Sequence, residues 1–176
     1  MFYPGNIHNS VNMKILIAYY SFTGNTAKLA NALAAFLNEK GYAVSIEEVK
    51  PEKPYSKLAA YTVGCKDAMQ KKAIPIKQIK YNPAEYNCIA VLSPTWAWTY
   101  VPPVTTYLSL LPEAKNGQLA IAGSTGGSAI ACKQIASAME KKGYAPVSEL
   151  WIKSFPTLPK EDELKKQFAS LLKLPL

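Results

Sequence analysis

Three short runs in this chain are almost unbroken apolar sequence: Ile15 to Tyr20, Cys88 to Leu92, and Leu119 to Ala122. A strand with one wet face alternates apolar and polar residues. Runs of this kind instead require cover on both faces, which the parallel sheets of α/β proteins provide. Each run is followed by a loop and then by a stretch with helical spacing. After the first run, Ala30, Leu33, Ala34 and Leu37 repeat as one face of a helix over Thr26 to Lys40, and Gly41 stops it. After the second, Pro103 opens a short helix over Val104 to Leu111. After the third, Ile130, Ile135, Ala138 and Met139 mark a helix over Ala129 to Lys142, ended by Gly143.

Two further strands are mixed in character. Val44 to Ile46 alternates, and Val147 to Ile152 is interrupted by polar residues, as edge strands are. In the long connection between Lys50 and Tyr86, Leu58, Tyr61, Cys65 and Met69 fall at helical spacing, and Pro75 and Pro83 precede the next strand. A last helix covers Glu161 to Leu172, with Leu164, Phe168, Leu171 and Leu172 on one face. The order βαβαβαβαβα implies a three-layer α/β sandwich around a five-stranded parallel sheet. Buried central strands and mixed second and fifth strands predict the strand order 2-1-3-4-5. In that order the loops after strands one, three and four meet at a switch point, where such sheets bind ligands.

A length of 176 residues suits one domain over 13–176, with 1–12 as an appended arm. The arm has neither a basic start nor an apolar stretch, so it does not read as a signal peptide. The three cysteines (Cys65, Cys88, Cys132) are widely spaced, which argues against a disulfide framework and a zinc site; a cytoplasmic protein is expected. No apolar run is long enough for a membrane span. His8 is the single histidine and lies in the arm, so histidine-based catalysis and metal ligation are not expected. Chemistry must then come from a bound cofactor, with no catalytic side chain and no metal.

The formal charge is +8 and all 20 basic residues are lysines. Between Lys50 and Lys80 there are eight lysines against Glu52 and Asp67. This reads either as a solvated face or as attraction of an anionic substrate or acidic partner. Without arginine there is no bidentate base reader, and no nucleic-acid motif is present, so nucleic acid is not an expected partner.

The unusual loops fall at the three places the strand order singles out. Ser21, Thr23, Gly24, Asn25 and Thr26 link the first strand to a helix N-terminus, where free N–H groups and the dipole favour an anion. The loop has neither G-x-G-x-x-G nor G-x-x-x-x-G-K-[ST], so it is neither a dinucleotide nor a triphosphate loop. Hydroxyls without a lysine suit a terminal monophosphate, with an ordinary cap by Thr23 or Asn25 as the plain alternative. The second loop carries Pro94, Thr95, Trp96, Ala97 and Trp98, then Tyr100, offering flat apolar surface beside a pocket. The third is Ser124, Thr125, Gly126 and Gly127, small residues whose backbone a ligand can approach closely.

Tyr19 to Thr26 resembles the phosphate signature of the flavodoxin family, and Ser93 to Pro103 resembles that family's loop beside the flavin. The resemblance runs from Met13 to the C-terminus and is to the short-chain form. It implies a flavodoxin-like fold, FMN as cofactor, and the residues just named as its binding site. The third loop lacks the aromatic and acidic residues of electron-carrying flavodoxins, and the chain is basic where those carriers are acidic. An FMN-dependent oxidoreductase is therefore expected, taking electrons from NAD(P)H or an electron-transfer protein and reducing a quinone-like acceptor. A non-enzymatic carrier between larger redox proteins is the alternative, and a homodimer is left open. A receiver-type signalling domain shares the strand order but needs an aspartate after strand three and an acidic pair after strand one. Ser93 and Tyr20-Ser21 stand there instead.

Overall fold

A computed structural model describes residues 13–115, 117–154 and 157–171. The expected arm 1–12, with His8, and the last residue expected in the final helix, Leu172, lie outside them. Five parallel strands form the sheet in the order β2 (Ala43–Glu48), β1 (Lys14–Tyr19), β3 (Cys88–Trp96), β5 (Leu119–Gly126) and β6 (Val147–Lys153). In sequence these are the first to fifth strands that the pattern anticipated, in the anticipated order. The two-residue strand β4 (Thr99–Tyr100), antiparallel to the end of β3, was not anticipated. It arises because β3 continues four residues beyond the apolar run and folds back on itself.

Burial explains the central runs. Ile15, Ile17, Ile89, Ala90 and Ile121 are essentially inaccessible to solvent. On one face they meet Leu29, Leu33 and Leu37 of α1 (Asn25–Glu39) with Leu164 and Phe168 of α6 (Glu161–Leu171). On the other, Val104 and Tyr107 of α4 (Pro102–Leu110) and Cys132, Ile135 and Met139 of α5 (Ile130–Glu140) complete the second core. Each such Leu, Ile or Val contributes about 1.5–3 kcal/mol by leaving water. Cys88 is part of this packing, fully buried. Among the described residues no helix is long and apolar enough to cross a membrane.

The crossover from β2 to β3 differs most from its sequence pattern. It holds α2 (Lys57–Ala59), a π-helical turn Ala60–Gly64 and α3 (Cys65–Met69) as one continuous helical segment. The residues that mark its helical spacing do not form its inner face. Ala60, Gly64 and Ala68 are buried, whereas Leu58, Tyr61 and Met69 are exposed. Small residues face inward because the segment lies close against Trp96: a Cβ added at Gly64 would stand 2.7 Å from Trp96 Cζ3.

Candidate functional site

The three loops converge at the C-terminal ends of β1, β3 and β5, and specific contacts join them. In the first, Gly24 takes φ 91°, a conformation natural to glycine, and its N–H donates to Ser21 Oγ at 3.1 Å. Among the described residues no side chain caps α1, so the alternative of an ordinary cap by Thr23 or Asn25 is not formed. The leading N–H groups of a fifteen-residue helix therefore face the loop with their positive dipole end. Thr23 is exposed beside them, and Ser21 keeps its own O–H free to donate.

Thr26 has a different place from Ser21 and Thr23. Its side chain is buried, and its Oγ1 lies 2.9 Å from Thr125 Oγ1 at the end of β5. Two residues 99 positions apart thereby tie the first loop to the third. Thr95 ties the second loop to the third by donating its hydroxyl to the Ser128 carbonyl at 3.3 Å. Gly126, at φ 138°, crosses so close to Thr95 that a Cβ there would stand 3.0 Å from the Thr95 Cβ. Gly127 is exposed, with open space around it. Ser124 is not brought to this rim. It is fully buried on the strand face that carries Ala120 and Ala122, and its Oγ has no partner among the described residues.

The second loop is a β-hairpin. Ala97 (φ 45°) and Trp98 (φ 64°) form its two-residue turn, both in the left-handed region. Such turns match strand twist, but their usual residues are Asn and Gly; a side chain there costs about 1–2 kcal/mol. Ser93 secures the base of the hairpin by accepting the Val101 N–H at 3.2 Å and donating to the Pro94 carbonyl.

The three aromatics of the loop have separate fates. Trp96 sits edge-on to Tyr20, Phe22 and Tyr55, with ring centroids 6.0, 5.4 and 5.8 Å away. Tyr100 is buried beneath the Lys71 ammonium, 3.6 Å above its ring. Trp98 alone stands out from the surface. Lys71 also donates to Thr99 and to Gln134 of α5, joining the crossover, the hairpin and α5. Burial lowers its ammonium to about 8. Burial likewise raises Tyr20 and Tyr55 to about 12, so both hold their protons at neutral pH.

A hollow of about 290 Å³ adjoins the first loop, lined by Tyr20, Ser21, Phe22, Lys50, Tyr55 and Lys77. Two of the eight crossover lysines thus reach this rim, and Lys50 is paired with Glu48 at 2.8 Å. Tyr55, Gly64 and Ser128 were not singled out from sequence, and Lys71 was read only as one of the eight crossover lysines. Tyr55 and Gly64 act through contacts with a residue more than thirty positions away, which no local pattern encodes. Ser128 lies one residue beyond the glycines and was within reach of a longer window.

A doubly wound sheet with an uncapped helix end and an aromatic hairpin at its switch point defines a flavodoxin-like protein. The sequence profile of the flavodoxin family matches residues 14–148, and the chain belongs to that family. Solved structures agree on the fold. A candidate flavoprotein from Bacteroides uniformis is 21% identical, with TM-score 0.69, covering 90% of this chain and 99% of its own. A flavodoxin from the domain Archaea is 22% identical, with TM-score 0.59 and coverages of 92% and 97%. A flavoprotein from Lactobacillus acidophilus solved in complex with FMN is 19% identical, with TM-score 0.51 and coverages of 89% and 99%. No curated protein sequence matches the chain. FMN is the cofactor of the family, and the donor set fits it: an uncapped helix end with two available hydroxyls for a phosphate, and an exposed indole for a flat ring.

Proposed function

We propose that this flavodoxin is an FMN-dependent oxidoreductase that takes electrons from NAD(P)H or a protein donor and passes them to a quinone-like acceptor. Bound FMN supplies the redox chemistry by accepting and releasing electrons. The chain's residues bind and orient it. The N–H groups at the start of α1, with the Ser21 and Thr23 hydroxyls, hold the phosphate. Trp98 would supply stacking surface, and the small residues Gly126 and Gly127 would let the ring approach the backbone of the third loop. Burial raises Tyr20 and Tyr55 to about 12, so both phenols are protonated at neutral pH.

The observation that carries this reading is the bareness of the third loop. Thr125 is turned to Thr26, Ser124 is buried, and only Gly126, Gly127 and Ser128 remain to border the ring. One side of the site is thus left open to a small substrate. The second reading, a carrier between larger proteins, is favoured by the exposed apolar residues of the crossover helix. Anaerobic stopped-flow mixing of FMN-loaded protein with NADH and NADPH, followed by a benzoquinone, separates the two. Rapid flavin bleaching and reoxidation supports the oxidoreductase. Inertness toward both nicotinamides and toward quinone supports the carrier.

A further inference from the structure

We propose that the outer face of the helical segment Lys57–Met69, beside the Trp98 hairpin, is a docking surface for an acidic electron-transfer protein. The inference rests on the redox reading above and identifies the protein donor. Leu58, Tyr61 and Met69 are 76, 73 and 69% exposed, and Val63 is more than half exposed. All four belong to the one helical segment. Large apolar side chains gathered in this way mark a contact surface, and aromatic residues and Met are the types enriched at interface centres.

The patch and the hairpin are joined by direct contacts. Gly64 packs directly on Trp96, two residues from Trp98, and Lys71 reaches from just beyond the helical segment to Thr99 of the hairpin. A partner seated on the helix therefore lies beside the rim of the flavin site.

Charge selects the partner. Lys53, Lys57 and Lys66 form no ion pair among the described residues, and Lys72 is paired with Asp67. Asp67 offsets Lys72 alone, which leaves the other three lysines as uncompensated positive charge. Apolar centre and lysine rim complement a partner with an apolar centre and a carboxylate rim. A second copy of this chain would bring the same lysines against these, which opposes self-association.

The test uses FMN-loaded protein and an acidic plant-type [2Fe–2S] ferredoxin, with affinity measured calorimetrically at low salt and at 0.5 M NaCl. Two variants change exposed residues only: Tyr61→Ser/Met69→Ser and Lys57→Glu/Lys66→Glu. The expected result is binding that weakens at least tenfold in each variant and in high salt, with FMN affinity and urea midpoint unchanged. The proposal is overturned if ferredoxin does not bind or binds both variants as well as wild type. It is equally overturned if wild type sediments as a dimer that Tyr61→Ser/Met69→Ser dissolves, or if the patch binds phosphatidylserine vesicles in place of ferredoxin. FMN titration of the same samples keeps the two readings apart. Ferredoxin binding through the patch by a chain that takes no FMN would end the redox reading and leave the surface standing.

Discussion

Gly64→Ala tests the packing that joins the crossover helix to the aromatic hairpin. Gly64 has ordinary helical angles, φ −62° and ψ −43°, so in isolation alanine should stabilise the segment by about 1 kcal/mol. The added methyl, however, would stand 2.7 Å from Trp96 Cζ3 and 3.3 Å from Cε3. Carbon atoms rest at roughly 3.5–4.0 Å, so the ring or the helix must yield by about 1 Å. Overpacking of this size costs about 1–3 kcal/mol, which exceeds or cancels the helical gain. The net expectation is a loss of about 0–2 kcal/mol in urea unfolding, with weaker FMN binding because Trp96 leads directly into the Ala97-Trp98 turn.

The sign of a small net change is poor evidence by itself, so the cycle with Trp96→Phe decides. Phenylalanine removes the ring atoms nearest the new methyl. On that background Gly64→Ala should recover its gain of about 1 kcal/mol, giving a coupling of about 1–3 kcal/mol between the sites. Stabilisation by about 1 kcal/mol on both backgrounds would refute the close approach, and with it the reason for the inward row of small residues.

Thr23→Ala should weaken FMN by about 1–3 kcal/mol and leave riboflavin nearly unchanged in a fluorescence titration, since only FMN carries the phosphate. Trp98→Ala should move the urea midpoint by less than about 0.5 kcal/mol yet lower FMN affinity and alter the flavin absorption bands. Trp96→Ala, which empties an aromatic cluster, should cost the fold about 3 kcal/mol, and equal effects of the two replacements would sink the division between them. Ala97→Asn should raise stability by about 1 kcal/mol in urea unfolding, because asparagine tolerates φ 45° better than alanine does. An unchanged or lowered midpoint would mean the turn is not held in that conformation.

The sheet was legible because its signal is local: a strand buried on both faces has to be apolar at every position, and Ile15 to Tyr20 or Cys88 to Leu92 meets that demand alone. The helices were legible for the same reason, with ends off by one or two residues. The crossover helix was found, but not the face it buries. Leu58, Tyr61 and Met69 have the spacing of an inward stripe, and only the three-dimensional position of Trp96 makes Ala60, Gly64 and Ala68 the side that fits. The hairpin was hidden for a related reason: Ala97 and Trp98 are residues that turns of this kind avoid, so no turn signal marked the fold-back. Departures from local preference cluster at this rim, as they do where function sets the backbone.

The contacts among the loops also explain how a chain with so few polar side chains at its site can shape it. Thr26 with Thr125, Thr95 with Ser128, and Gly64 with Trp96 connect segments 99, 33 and 32 residues apart. The first two links use hydroxyls that are buried or partly buried, where one without a partner would cost about 1–3 kcal/mol, and the third is close packing. The links therefore hold the rim by penalising its separation more than by any attraction of their own. Among the described residues, the groups left without partners at this rim are then the helix-end N–H groups, the Ser21 and Thr23 O–H groups and the Trp98 indole. Those are donors for a phosphate and a face for a planar ring. A site organised in this way fixes the position of a cofactor by its frame and leaves the redox work to the cofactor.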